Sequence, residues 1–222
     1  MSSTPSYLAQ PLVSGERLSR AEFERRYEAM PDVRAELIEG VVHMNSPTRA
    51  SHSAAHLALA TWLGTYAART PGVLAHDNLS YRLDDRSELQ PDLLLMLSPA
   101  CGGRARVDAE GFLVGVPELI IEVAAASAEY DLGAKFRLYQ RAEVPEYLVW
   151  DAEAKQAHWW VLDKGSYRPL MPDRARIWRS QVFPGLWLDE PALARQDLAA
   201  VLACLDEGTR SPEHIAFKAG MP

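Results

Sequence analysis

The sequence predicts a mixed α/β domain with a central β-sheet flanked by α-helices. Three observations predict it. Two short continuous apolar runs, Pro91–Leu97 (PDLLLML) and Leu119–Ala124 (LIIEVA), have the length and composition of central strands covered on both faces. Helical periodicity surrounds them: Ala55, Leu59, Trp62, Leu63 and Tyr66 recur at three- and four-residue steps within 51–69. The order of elements (helix, hairpin, helix, strands, helix, strands) is that of a domain built on one sheet.

Taken in order, residues 1–16 read as a loose leader with Pro5, Pro11 and Gly15. Ser19 followed by Glu22 is a capping signature and predicts a helix over 19–30. AELIEGVVHM, residues 35–44, predicts a hairpin turning at Glu39-Gly40, and residues 51–69 a second helix. The alternation over 73–83 predicts one strand, with turn residues 84–87 behind it. The Gly-, Arg- and Asp-rich stretch 98–115 reads as a loop. A third helix is expected over 130–142, strands over 147–151 and 156–162, further short strands within 165–188, and a last helix over 193–205 before a tail. The division that follows is a leader over 1–16, a domain over 17–190, and a C-terminal helix and tail over 191–222.

Composition narrows the function classes. The 222 residues are 48% hydrophobic and 24% charged, enough to bury a sizeable core in one domain. Two distant cysteines, Cys101 and Cys204, form no zinc or redox motif and fit a reducing cytoplasm. No apolar run reaches the length of a bilayer span, and residues 1–20 do not read as a signal peptide. The expectation is a cytoplasmic protein with no membrane partner. A net charge of −7 argues against a protein that coats nucleic acid nonspecifically, yet allows local binding through a metal, which reverses the sign of a carboxylate cluster.

The chemistry is carried by acids inside apolar strands. Asp92 opens one run and Glu122 interrupts the other. An ionised carboxylate in a central strand costs several kcal/mol unless paired or metal-bound. Two of them in neighbouring strands predict facing carboxylates, and a hard divalent cation with oxygen ligands removes their repulsion. That arrangement suits phosphodiester hydrolysis. Lys135, in the helix after the Glu122 strand, could orient the attacking water or offset developing charge. Asp131 lies one helical turn before it and can pair with it. The bland alternatives are a turn aspartate at Asp92, a buried pair with an arginine at Glu122, and a solvated lysine at Lys135. Histidines 43, 56, 76 and 158 show no metal-ligand spacing. His52 and His56 are four apart but lack the HExxH glutamate, so zinc is not expected. No GxSxG serine context and no phosphate-binding glycine loop is present.

These residues carry a resemblance. AELIEGVV, SHSAAH, QPDLLLM, PELIIEVAAAS and EYDLGAKFRLYQRAEVPEYLVWD, in this order, resemble the bacterial putative restriction endonuclease family of the PD-(D/E)XK nuclease superfamily over about residues 20 to 190. The most specific piece is the last, D-x-x-x-K-x-x-x-Y followed by V-P-E-Y. The resemblance implies a restriction-endonuclease-like core and a DNA endonuclease using Mg²⁺ or Mn²⁺. It implies Asp92 and Glu122 as metal ligands, the Val123 carbonyl as a third, and Lys135 as the catalytic lysine. The superfamily lysine two residues after the second acid is replaced here by Ala124, and Ala125-Ala126-Ser127 replaces the usual S-P-S. Glu36 matches an acid that supports the site. Glu39 matches a neighbouring acid whose three-residue offset points it to the opposite face. His52 stands where the family often has histidine.

The expected assembly is a homodimer, because duplex DNA has two strands to cut. Two alternatives to a nuclease stand beside it: a noncatalytic nucleic-acid- or protein-binding module on the same fold, and a structural protein with Asp92 and Glu122 in core ion pairs.

Overall fold

Apolar periodicity builds the expected elements in the computed structural model, which describes residues 10–44, 49–124 and 131–221. Helix α1 (Arg20–Tyr27) is capped by Ser19, whose hydroxyl accepts from the Glu22 amide. Glu22 turns its own carboxylate to Arg25 and Arg26 instead of back to the cap. Strands β1 (Ala35–Ile38) and β2 (Val41–Met44) form the expected antiparallel hairpin. Its two turn residues, Glu39 and Gly40, both have positive φ, the two-residue geometry whose twist matches paired strands. Helix α2 (Ala50–Arg69) buries the five apolar positions that predicted it.

The next region departs from expectation. The strand expected over 73–83 is two, β3 (Val73–Asp77) and β4 (Tyr81–Asp84), and they belong to different sheets. Asn78 breaks them apart with φ 52°, a left-handed conformation that asparagine tolerates better than most residues. Strand β5 (Ser87–Leu89) follows, then β6 (Leu93–Leu97). The stretch expected as a loop over 98–115 contains a hairpin, β7 (Arg104–Val107) with β8 (Leu113–Val116). It reads as loop because this edge hairpin buries little: Arg104, Arg106 and Val107 are exposed and only Ala105 of β7 is buried. Gly115 is required there, since a Cβ would lie 2.1 Å from the Arg104 carbonyl oxygen.

Strand β9 (Leu119–Ala124) is buried at every position. A π-helical turn, Asp131–Lys135, leads into α3 (Phe136–Arg141). Tyr130 and the Ala125-Ala126-Ser127 turn lie outside the described residues. Strands β10 (Glu146–Asp151), β11 (Gln156–Asp163), β12 (Ser166–Pro169), β13 (Ile177–Arg179) and β14 (Trp187–Asp189) complete the sheets.

The C-terminal segment is more structured than expected. The predicted single helix is broken at Arg195–Asp197 into α4 (Glu190–Ala194) and α5 (Leu198–Gly208), and α6 (Pro212–Ala219) stands where a tail was read. Asp189, Asp197 and Ser211 cap these three helices through their side chains. Val201 and Leu205 are fully buried in the main core. At the other end, Leu12 is buried and Gly15 donates to the Val42 carbonyl, so the leader is tied down from residue 12 onward.

The architecture is mixed α/β, with two six-stranded mixed sheets and a separate two-stranded pair, β13 with β14, in place of the single expected sheet. One sheet runs β2-β1-β5-β4-β8-β7 and the other β12-β11-β10-β9-β6-β3. In the second, β9 pairs parallel with β10 and antiparallel with β6. Alternation divides the cores. Leu93, Leu95, Ile121 and Val123 face α2 and the C-terminal helices, whereas Leu94, Met96, Ile120 and Ala124 face the first sheet and α3. A third cluster joins α1 to β1 and β2 through Phe23, Leu37 and Val42. Among the described residues, no helix is long and apolar enough to cross a membrane.

Candidate active site

The two acids sit at adjoining places in the sheet. The antiparallel register of β6 and β9 ends at Leu93 opposite Ile121, and Asp92, just before β6, accepts from the amide of Val123, the residue after Glu122. Alternation along β9 points Glu122 with Ile120 and Ala124 into the space between the sheets. From the first sheet, Glu36 points into the same space, because its neighbour Leu37 faces α1 while Ile38 lies in the inter-sheet cluster.

Lys135 joins the sheets. Its Nζ lies 2.9 Å from Glu36 Oε2, 3.1 Å from Glu122 Oε1 and 3.5 Å from Asp131 Oδ1. The ammonium is buried, with its side chain only 8% exposed. The π-helical turn widens the spacing just where Asp131 and Lys135 both reach inward, a local distortion common at functional sites. One turn on, the Tyr139 hydroxyl donates to Glu122 Oε1 at 3.1 Å. All three lettered positions of D-x-x-x-K-x-x-x-Y thus meet in one cluster. Glu36 is fixed by the Gln90 amide, which donates to Oε1 at 2.8 Å, two residues before Asp92.

Electrostatics follow from this crowding. Burial pushes the Glu122 carboxyl well above the usual carboxylate range. Lys135 opposes that rise, while Asp131, Asp92 and Glu36 add to it. Burial also works against charge on Lys135, but Glu122, Glu36 and Asp131 outweigh it and hold the ammonium protonated well above its ordinary range. Asp92 behaves oppositely to Glu122. Burial raises it, yet the adjacent His52 and His56 rings and a hydrogen bond from the Val123 amide overcome burial and hold it well below the carboxylate range. It is ionised at any neutral pH.

Asp92 has its own surroundings. Its Oδ2 accepts from the Val123 amide at 2.7 Å and lies 3.5 Å from His52 Nε2. Its Oδ1 lies 3.5 Å from His56 Nδ1. The far nitrogen of His56, Nε2, is 2.9 Å from Asp77 Oδ1. A strand residue's N–H and C=O leave along the same edge, so the Val123 carbonyl is on the Asp92 side as well.

The donor set fits a divalent cation. Asp92 is ionised and each carboxylate oxygen has lone pairs beyond those already engaged. His52, His56 and Asp92 each offer a ligand atom within 4.8 Å of the others. Three carboxylates around one ammonium also leave an excess of negative charge that a cation relieves.

The expected residues divide as follows. Glu36, Glu122 and Lys135 meet directly, and Asp92 adjoins them through the Val123 amide next to Glu122. Glu39 is elsewhere: it occupies the hairpin turn, more than half exposed, and its Oε1 accepts from Arg141 Nη2 at 2.9 Å. His52 reaches Asp92. Sequence reasoning assigned no role to His56 or Asp77. The signal for His56 was its four-residue spacing from His52. Asp77 carried none, since its place depends on the chain break at Asn78.

Residues 20–191 match the family described as Putative restriction endonuclease (Uma2). No curated protein matches the chain. A solved structure from Anabaena variabilis ATCC 29413, described as a putative nuclease belonging to DUF820, is similar in fold. Its TM-score is 0.63 at 13% sequence identity, covering 81% of this chain and 98% of that one. The fold is therefore restriction-endonuclease-like, and the chain belongs to the Uma2 family of putative restriction endonucleases.

Proposed function

We propose that this Uma2-family chain is a divalent-metal-dependent endonuclease that hydrolyses DNA phosphodiester bonds. Asp92, Glu122 and the Val123 carbonyl hold Mg²⁺ or Mn²⁺, and Lys135 and Glu36 work beside them. The observation that carries the reading is the buried Lys135 ammonium between Glu36 of one sheet and Glu122 of the other, with the ionised Asp92 bound to the Val123 amide next to Glu122. When bound, the cation supplies an acidified water and stabilises charge on the phosphate. Asp92 provides a carboxylate that needs no deprotonation before it can ligate. Lys135 provides N–H donors for the attacking water or a phosphate oxygen. Glu36, held by the Gln90 amide, orients that ammonium. The two cysteines are unpaired, which suits a reducing cytoplasm. A two-fold dimer is the assembly that would cut both strands.

One observation favours a second reading. Lys135 pairs with three carboxylates, Glu36, Glu122 and Asp131, in a buried cluster, and the chain carries a net charge of −7. Such a cluster also serves a noncatalytic binding module in which the acids and the lysine only join the sheets. Cleavage of supercoiled, linear and single-stranded DNA in Mn²⁺, Mg²⁺ or EDTA, by wild type and Lys135→Ala, separates them. The nuclease reading expects metal-dependent cutting by wild type alone. DNA binding with no cutting under either metal would favour the module.

A further inference from the structure

We infer that His52 and His56 join Asp92 as metal ligands, and that these two nitrogens make the site prefer Mn²⁺ and other first-row transition cations over Mg²⁺. The inference rests on the reading that Asp92 holds a metal. It departs from the oxygen-only set of Asp92, Glu122 and the Val123 carbonyl.

Helix α2 presents His52 and His56 one turn apart, their rings stacked with centroids 5.8 Å apart, above the start of β6. The two histidines take different oxygens of Asp92. His52 Nε2 lies 3.5 Å from Oδ2, and His56 Nδ1 lies 3.5 Å from Oδ1. Those are long contacts for hydrogen bonds. They are close to what ligation needs: a cation about 2.1 Å from two ligand atoms at right or tetrahedral angles holds those atoms roughly 3.0–3.4 Å apart. The side chains need to move very little to share an ion.

A second feature supports ligation by His56. Its Nε2 is held by Asp77 at 2.9 Å, leaving Nδ1 toward Asp92. A carboxylate behind an imidazole fixes the ring's tautomer and orientation and raises its basicity, the usual second support of a metal-bound histidine. Asp77 is thus a positioning residue. On His52, Nδ1 is buried and has no hydrogen-bond partner among the described residues. No side chain there dictates its tautomer, so Nε2 can carry the lone pair that a cation requires.

Ligand chemistry then sets the preference. Mg²⁺ favours oxygen ligands and keeps its waters, whereas imidazole nitrogen suits transition cations. Two imidazoles on one carboxylate shift the site toward the latter.

The test uses the full chain stripped with EDTA and no DNA. Mn²⁺ and Mg²⁺ affinities are measured by calorimetry, and nitrogen couplings to bound Mn²⁺ by pulsed electron paramagnetic resonance on protein with and without ¹⁵N-histidine. The expected result is one Mn²⁺ site at least about tenfold tighter than Mg²⁺, with histidine nitrogen coupling. His52→Gln and His56→Gln should each weaken Mn²⁺ about tenfold or more and leave Mg²⁺ nearly unchanged. Asp77→Asn should weaken Mn²⁺ about 10–100-fold. Bound Mn²⁺ without nitrogen coupling in the wild type overturns the inference, whatever the variants do. Nitrogen-coupled Mn²⁺ in a protein that never cuts DNA supports the inference and removes only the nuclease reading. Cutting with an oxygen-only Mn²⁺ does the reverse.

Discussion

Replacing Lys135 by methionine removes the cation that joins the two sheets and keeps the side chain's length. Glu36 and Glu122, with side chains 6% and 4% exposed, are left without their ammonium. Breaking a buried ion pair from one side costs about 3–5 kcal/mol. In a domain of this size each kcal/mol moves the melting temperature by about 2–4 °C, so a fall of roughly 6–20 °C is expected. The deficit should depend on pH. Burial raises Glu122 in the folded state, so its favourable contribution is complete below the unfolded carboxylate range and is lost as pH rises through the folded value. Lys135 holds that value down, and without it the folded value moves further up. The deficit of Lys135→Met should therefore be largest near pH 8 and shrink toward pH 5. Thermal unfolding followed by near-ultraviolet circular dichroism in EDTA, at both pH values, measures it. A variant that melts within about 2 °C of wild type at pH 8, with no change at pH 5, would refute the claim that Lys135 neutralises these acids in the folded protein.

Other perturbations separate the site from its scaffold. Asp92 is held below the carboxylate range, so its contribution is present at neutral pH and lost as pH falls through the folded value. Acid titrations of stability should show that loss in wild type below about pH 4 and not in Asp92→Asn. Glu39→Gln removes a half-exposed contact with Arg141 and should change stability by less than about 1 kcal/mol in chemical denaturation, with cleavage unaltered. Leu205→Ala opens the core under α5 and should cost about 2–5 kcal/mol by the same measurement, as expected if the C-terminal helices belong to the domain.

Much of this arrangement was legible because burial and charge conflict visibly in the sequence. Asp92 and Glu122 stand out as acids in otherwise apolar runs, and the pairing of β6 with β9 brings Asp92 onto the Val123 amide beside Glu122. Lys135 was legible as the cation in the helix after the Glu122 strand, and Tyr139 only as a letter of the resembled motif, which the π-helical turn and α3 carry onto one inward side. Glu36 was legible only through the resemblance, as an acid matched to one that supports the site, and Glu39 separates from it because it occupies the hairpin turn itself. The histidines were harder. A pair four apart on a helix is common, and its meaning here comes from Asp92 and Asp77, supplied by other elements. Asp77 was hidden by the break at Asn78, where one alternating pattern runs across two strands of different sheets. The β7–β8 hairpin was hidden because an exposed edge carries the composition of a loop. Helix α6 was hidden by its single buried position, His214.

The central claim is that the Asp92–Glu122–Lys135–Glu36 cluster cuts DNA with the help of a metal. Single-turnover nicking of supercoiled plasmid in Mn²⁺, by wild type and by Asp92→Asn of matching thermal stability, tests it most directly. The account predicts nicking by wild type that EDTA abolishes, and none by the variant. Equal nicking by both proteins would contradict it.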